Sequence, residues 1–514
     1  MLGLAEAMGV EPDEDMPDLI LSMGNINTSV LATDAISDEL EDFVSYRVDD
    51  ADRIREGMIA KRKRQGRMKD AQWWAMEWNG YFSCLKFKTK IGTGLIQDII
   101  MWCLDKGYSY KIADHTTGVK KPININWKAE KTLRPEQQDG MRELKDNDFR
   151  GLIHATMGYG KTVLGTHIIK ELGVPTIILL DRTLAMKEWW EELLAVFDLQ
   201  REEFKAGVKG SVFYYEGEPL ILLCTSKLIH SANKKNTKSP RNKLIKWFVK
   251  EANLLIYDEV HRAGAKQKQQ VVNMISAFHR VGLSGTVGTR EDKADYEYFA
   301  TISPPVYYYS TDEFIESGRG AQIYIEPVVM PYGDLSTYRK IDDFNQLLEE
   351  YIVSNRERNL EIARVVFDQI VEGRKILVLV DRVRHAEILQ TMLGEDDVLI
   401  SDGGDKDKLK KFDQFKSGEM PVMICTFSLA GEAFNYPELN TLVLAGGKSP
   451  NKIKQAVGRI VRAKEDGGSA IVFDIIDPIN PFKDHFISRL EIYSENKSFI
   501  INRKAIPRWA RMYL

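Results

Sequence analysis

The segment Ala155-Thr156-Met157-Gly158-Tyr159-Gly160-Lys161-Thr162 lies between the apolar pair Leu152-Ile153 and the helical pattern of residues 163–172. A glycine-rich turn that links an apolar strand-like run to a helix restricts the surrounding chain to few architectures. Gly158 and Gly160 allow backbone N–H groups to approach phosphate oxygens, Lys161 adds a cation for the outer phosphates, and Thr162 has a hydroxyl that can ligate magnesium. With Thr156, Met157 and Tyr159 they read as a cradle for a nucleoside triphosphate. The usual spacing opens on glycine and Ala155 stands in that place, so from this segment alone a different nucleotide site stays open.

About a hundred residues on, the apolar run Leu254-Leu255-Ile256-Tyr257 delivers Asp258, Glu259, Val260 and His261. At the carboxyl edge of a parallel sheet, Asp258 would hold the metal that Thr162 also touches, and Glu259 would polarise an attacking water. A plain strand followed by an acidic turn gives the same letters, but leaves unexplained why they follow a phosphate loop. Further along, Gln455, Arg459 and Arg462 fall at i, i+4 and i+7, which places all three on one helix face. Guanidiniums supplied by a second domain suit the charge on a transferred phosphoryl group. A solvated basic surface has the same pattern.

In chain order these motifs resemble those of the superfamily 2 helicases and translocases, and the intermediate motifs are also present. Leu133-Arg134-Pro135-Glu136-Gln137 resembles the segment whose glutamine reads adenine, which implicates Arg134 and Gln137 in nucleotide binding. Residues 179–190, with Arg182, resemble motif Ia; Cys224-Thr225-Ser226 resembles motif Ib; Ser284-Gly285-Thr286 resembles motif III, which couples hydrolysis to movement. Residues 426–437 resemble motif V and retain Glu432, whereas Ala433 and Asn435 replace the family's frequent Gly and Asp. The resemblance implies that Arg182, Thr225 and Thr426 grip strand phosphates. It also implies that His261 joins the nucleotide site to motif III, unless it is simply a polar strand end. Residues 78–112 resemble the N-terminal domain of the UvsW-like phage recombination helicases, where a Trp-x-Gly turn and a basic hairpin precede a short helix.

A chain of 514 residues exceeds one core, and a prior of ~150 residues per domain suggests about three. The expected fold class is α/β: two tandem RecA-like domains, with parallel sheets flanked by helices, and a small N-terminal α+β accessory domain. The expected segments are an acidic head (1–40), a basic accessory DNA-binding domain (41–127), lobe one (128–325), lobe two (326–480) and a helical C-terminal extension (481–514). A net charge of −4 looks wrong for a nucleic-acid binder until it is divided along the chain. Residues 1–50 hold thirteen acids against Arg47, whereas residues 51–130 hold sixteen bases against eight acids, a local balance of +8 (16 − 8). Within that domain Lys61, Arg62, Lys63 and Arg64 fit either a solvated helix face or a DNA contact. Residues 228–247, polar and basic, read as a surface loop.

The four cysteines have no metal-ligand spacing, and Cys224 and Cys425, which follow apolar runs, read as small buried strand residues of a reducing compartment. No run approaches the ~18 apolar residues of a membrane span and no signal peptide is visible, so a cytoplasmic protein with no membrane partner is expected. A monomer is the expected state, although nothing in the sequence fixes it. The expected activity is that of an ATP-dependent DNA helicase or branch-migrating translocase, using ATP and Mg2+, on branched, forked or single-stranded DNA. The alternatives are a duplex translocase that does not separate strands, an RNA or RNA-DNA hybrid helicase, and a branched-DNA binding protein with a vestigial motor.

Overall fold

The computed structural model describes residues 17–47, 55–56, 59–60, 63, 81–116, 121–181, 183–204, 210–234, 239–287, 295–332, 343–394, 398–401, 407–427, 438–446, 453, 456–458, 460 and 469–513. They form two compact units: residues 1–155 with 160–308, and residues 156–159 with 309–514. Among the described residues no helix is long and apolar enough to cross a membrane.

The first unit begins with β1 (Leu19–Met23) and β2 (Asn27–Ala32), so the acidic head contains structure that its irregular pattern does not announce. Thr33 caps α1 (Asp34–Phe43), which leads through β3 (Ser45–Arg47) to β4 (Tyr81–Ser83), β5 (Lys90–Gly92), α2 (Ile96–Lys106) and β6 (Tyr110–Asp114). A four-stranded sheet runs β5-β2-β1-β6, with β6 parallel to β1 and the other two pairings antiparallel. Leu19, Leu21, Leu40, Ile91, Ile99 and Trp102 form its core. An N-terminal α+β domain is as expected, but its start is corrected: it takes in β1, β2 and α1, and the border read between 40 and 41 falls inside α1.

The same unit continues with α3 (Pro135–Asp146), β7 (Arg150–Ala155), α4 (Lys161–Leu172), β8 (Thr176–Leu180) and α5 (Thr183–Val196). After β9 (Gln200–Glu203), β10 (Gly210–Tyr215) and β11 (Glu218–Thr225) come α6 (Ser226–Lys234), α7 (Pro240–Glu251), β12 (Leu254–Asp258) and α8 (Lys266–Val272). Last are β13 (His279–Ser284), α9 (Asp295–Thr301) and β14 (Pro305–Tyr309). The sheet order is β14-β7-β13-β12-β8-β11-β10-β9, and β7, β13, β12, β8 and β11 pair in parallel. Strands buried on both faces need continuous apolar runs, and Leu254, Leu255, Ile256 and Tyr257 are all fully buried. Each such side chain contributes roughly 1.5–3 kcal/mol of burial. The surface loop expected over residues 228–247 is corrected to parts of α6 and α7. Ile229, Ala232, Ile245 and Phe248 bury one face of these helices, and Ser239 followed by Pro240 starts the second.

In the second unit, β15 (Ile323–Val329), β16 (Ile376–Val380), β17 (Val398–Ser401), β18 (Val422–Thr426), β19 (Thr441–Leu444), β20 (Ala470–Ile476) and β21 (Ile500–Ile501) form a parallel sheet. Its order is β17-β18-β16-β19-β20-β15-β21. The lobe border read from the sequence, between 325 and 326, cuts β15, which belongs wholly to this sheet. Strand β20 and the residue after its end carry two buried carboxylates, each matched by a guanidinium. Arg358 of α10 (Arg356–Val371) donates to Asp477 at 2.7 and 2.9 Å, and Arg489 of α11 (Phe482–Glu495) donates to Asp474 at 3.0 Å. Breaking one partner would strand a buried charge, so these pairs fix where both helices sit. Phe482, Phe486 and Tyr493 of α11 are buried, so the aromatics on this helix pack in the interior of the unit.

The accessory domain docks on the eight-stranded-sheet part of its own unit at close backbone range. A Cβ on Gly92 would lie 2.0 Å from the Ala300 carbonyl oxygen, and one on Gly94 2.1 Å from that of Phe299. Tyr46 stacks on Tyr296 with ring centroids 5.4 Å apart, and Asn25 Nδ2 donates to the Ser276 carbonyl at 2.9 Å. Gly92 has φ −69, which suits any residue, so glycine here serves contact and not conformation. Gly92→Ala is expected to destabilise the unit by about 1–3 kcal/mol, because the obstacle is backbone. Urea denaturation combined with limited proteolysis of the accessory domain checks this, and unchanged protection would refute the contact.

Candidate functional site

Five parallel strands, β7, β13, β12, β8 and β11, end at one edge of the first unit's sheet. The residues that leave that edge are the turn before Lys161, then Ser284, Asp258, Asp181 and Thr225. Open α/β sheets bind ligands outside this edge, because loops there carry side chains on a rigid frame.

The turn after β7 uses both of its glycines in left-handed conformations, with φ 90 at Gly158 and φ 86 at Gly160. Gly160 caps α4, so Lys161 and Thr162 are that helix's first residues. Lys161 Nζ donates to the Ala155 carbonyl at 2.9 Å, reaching back over the turn. A Cβ on Gly160 would fall 2.5 Å from Gln137 Nε2, and that amide donates to the Gly160 carbonyl at 3.2 Å. Gln137 Oε1 in turn accepts from the Arg134 N–H at 2.9 Å, and Arg134 Nε pairs with Glu136 at 3.0 Å. Arg134 and Gln137 are therefore brought against the cradle. Within the turn itself, the Thr156 N–H donates to the Tyr309 carbonyl at 3.1 Å and Tyr159 lies beside the Tyr309 ring.

Asp258 ends β12, and its two oxygens are held separately. Oδ1 accepts from the Glu259 N–H at 3.0 Å and Oδ2 from the indole N–H of Trp189 at 2.9 Å. Burial, reinforced by the neighbouring Glu259 charge, pushes the Asp258 carboxyl above the ordinary range, and Trp189 and Lys161 pull it back. Glu259 has φ 58, a left-handed conformation that costs a non-glycine residue of order 1 kcal/mol or more. The bend directs the chain so that His261 Nδ1 lies 2.9 Å from Ser284 Oγ, 3.2 Å from Thr286 Oγ1 and 3.3 Å from Glu259 Oε2. Ser284 Oγ donates to the Thr286 carbonyl at 2.8 Å across Gly285. The acid, the histidine and the Ser-Gly-Thr segment thus form one hydrogen-bonded cluster.

Among the described residues there is no cluster of three or more His, Cys, Asp or Glu able to cage a metal. Two oxygen donors, Thr162 and Asp258, suit an ion that keeps most of its waters and takes its remaining ligands from phosphate, which is how magnesium binds. The residue set fits that ion.

Of the proposed strand contacts, Thr225 and Thr426 close β11 and β18 and are nearly buried, at 7% and 8% exposure. Lys63 is exposed. Lys61, Arg62, Arg64, Arg182, Glu432, Gln455, Arg459 and Arg462 lie outside the described residues.

Two features escape a motif reading. Trp189 of α5 is 1% exposed and fits only because Gly165 of α4 lacks a side chain: a Cβ there would lie 2.4 Å from the ring's Cη2. Asp181, after β8, accepts from Tyr257 at 3.2 Å and from Lys268 at 2.6 Å, which ties three elements together behind the acids. The Trp189-Trp190 doublet is the only sequence sign of the first feature, and nothing in the sequence pairs it with Asp258.

The family described as type III restriction enzyme, res subunit, matches residues 130–289, and the helicase conserved C-terminal domain matches residues 358–464. The probable helicase D10 of Escherichia phage T5 is 24% identical over 76% of this chain and 81% of its own. The DNA 3'-5' helicase XPB of Kineococcus radiotolerans is 24% identical over 71% of this chain, which spans 63% of that relative's length. The XPB of Mycobacterium tuberculosis is 23% identical, and the chain spans 57% of it. Among solved structures, T4 UvsW aligns over 94% of this chain and 99% of its own, with TM-score 0.39 and 15% identity.

Trp189→Phe keeps the packing against Gly165 and deletes one hydrogen bond to Asp258. Removing such an outer partner of a metal-binding carboxylate costs about tenfold or more in metal affinity. Manganese binding in the presence of ADP, followed by electron paramagnetic resonance, is expected to weaken by that factor; wild-type affinity would show that the indole does not position Asp258.

Proposed function

Because the chain belongs to the superfamily 2 helicases, ATP-dependent enzymes, we propose that it is a DNA motor acting on forked or branched duplexes. Lys161, Asp258, Glu259 and the His261–Ser284–Thr286 cluster meet at one sheet edge, and that juxtaposition carries the proposal. Thr162 and Asp258 would hold magnesium, which offsets the charge of the outer phosphates. Lys161 releases the Ala155 carbonyl to meet the same phosphates. Glu259 orients the attacking water, and its tie to His261 passes the state of the nucleotide to Ser284 and Thr286. Gln455, Arg459 and Arg462 are the candidates, from the spacing of their motif, to meet the nucleotide from the second domain, with the two arginines neutralising the transferred phosphoryl group.

DNA as the strand is supported by the names of the XPB relatives and by the +8 balance of residues 51–130. Phosphate contacts from Arg182, Thr225, Thr426 and the Lys61–Arg64 cluster position the backbone without reading sequence, so binding depends on DNA shape and weakens with salt. The match to a restriction-enzyme subunit over residues 130–289 favours one second reading, translocation along duplex without strand separation. Strand displacement compared with triplex displacement on the same substrate separates the two.

Lys161→Ala is expected to reduce ATP turnover to background while the fold persists; wild-type turnover would refute the cradle. Glu259→Gln is expected to bind ATP normally and to hydrolyse it about a hundredfold or more slowly. Phosphate release measured with single-stranded, duplex, forked, four-way and RNA-containing substrates tests the partner. The expected order places forked and four-way DNA first, and stimulation by RNA alone would overturn the DNA assignment.

A further inference from the structure

Between β4 and β5 the accessory domain makes a turn that packing does not require. Lys86 and Lys90 close it, with Lys86 N–H donating to the Lys90 carbonyl at 2.7 Å and Lys90 N–H to the Lys86 carbonyl at 3.1 Å. Inside lie Phe87, Lys88 and Thr89. Phe87 has φ 55 and Lys88 φ 56, two successive left-handed residues, neither of them glycine or asparagine. A turn selected for its geometry alone would favour Asn-Gly at such positions. Phe87 is also 94% exposed, more than any other large apolar side chain among the described residues. An apolar ring is thus held in water on a conformation that its own backbone resists, a combination that marks sites kept for binding.

The mount of this turn is rigid. Gly92 and Gly94 follow it directly and press on the Phe299 and Ala300 carbonyls of α9, and Thr93 Oγ1 donates to the Gly24 carbonyl at 2.8 Å. Cys84, just before it, is buried with Sγ 3.7 Å from the Tyr296 carbonyl. The ring therefore moves with the lobe that carries Lys161 and Asp258.

Charge selects the partner. Lys86 and Lys90 flank the ring and are exposed, whereas Lys88 is paired with Asp38 of α1, near Asp34 and Glu41. One side of the tip attracts phosphate and the other repels it, which leaves the ring as the central contact. A flat apolar surface between ammonium groups fits a polyanion whose units carry their own flat faces, a nucleic acid with an exposed base. A plain duplex offers no such face along its length; the end of a paired region at a fork does. Resting on the DNA-motor reading above, we infer that Phe87 stacks on the terminal base pair at a duplex–single-strand junction and gives the protein its preference for forks.

The test uses the full-length protein and a forked duplex with 2-aminopurine at the first paired position, beside a plain duplex of equal length. Wild-type protein is expected to change the probe's fluorescence and to bind the fork more tightly than the plain duplex. Phe87→Ala is expected to abolish the fluorescence change and to lower fork affinity about tenfold, with plain-duplex affinity little altered. Phe87→Trp restores both. Lys86→Ala and Lys90→Ala each reduce the salt dependence of fork binding by roughly one phosphate contact. Thermal unfolding of Phe87→Ala at the wild-type temperature excludes a folding cause, as expected for a ring that is 94% exposed. A wild-type fork preference and probe response in Phe87→Ala would overturn the inference while leaving the motor assignment intact. Failure of wild-type protein to bind or be stimulated by any DNA would instead remove the motor assignment, and this inference with it.

Discussion

The pairing of β12 between β8 and β13 is the constraint on which the site depends. Leu254 to Tyr257 have no exposed surface, so their backbone groups must be satisfied by parallel neighbours on both sides. That requirement fixes the point where β12 stops, and the first residue to leave the apolar environment is Asp258. A carboxylate at such a point is poorly solvated, and Glu259 beside it adds like charge. The arrangement is tolerable only with compensating partners. The protein supplies the Trp189 indole and the Glu259 N–H, and Lys161 lies near enough to lower the penalty. A divalent cation with its phosphate ligands would complete the compensation, so on the proposed reading the electrostatic cost of the site and an affinity for magnesium nucleotide would have one origin.

Most of the two RecA-like sheets is legible in the sequence, because strands buried on both faces leave near-continuous apolar runs. Residues 254–258, 376–380 and 422–426 are such runs, and each is a strand. The cradle is legible for a related reason: Gly158 and Gly160 adopt left-handed conformations that other residues resist. Other features are not legible because they depend on partners distant in the chain. Trp189 reaches Asp258 across 69 residues, and Arg358 reaches Asp477 across 119. Nothing local to Gly165 indicates that its missing side chain makes room for an indole.

The acidic head misleads for a different reason. Asp34, Asp38, Glu39 and Glu41 make the segment look solvated, yet α1 buries Ile36 and Leu40 on its other face and is capped by Thr33. Its acids then find bases within the same domain, Asp38 with Lys88 and Glu39 with Lys106 at 3.5 Å. Charge counted along the chain separates a negative head from a positive domain. Among the described residues these two ion pairs bring acids of the head against bases of the domain, a mixing that a count along the chain does not show.

Backbone strain does not by itself identify a functional turn, and this protein contains the comparison that shows why. Asp148 and Phe149 repeat the geometry of Phe87 and Lys88, two successive non-glycine residues with φ 52 and 53, on the approach to β7. Phe149, however, is only 7% exposed and packs edge-on against His279 at 5.9 Å. Burial of its ring offsets the backbone cost locally, and the turn is explained by the fold. Phe87 has no such return: its ring is in water and its contribution to the folded state is close to nil. Two phenylalanines under similar backbone strain therefore separate by what their rings touch. For the exposed one, no burial among the described residues offsets the cost through the ring, and that difference is what the stacking proposal rests on.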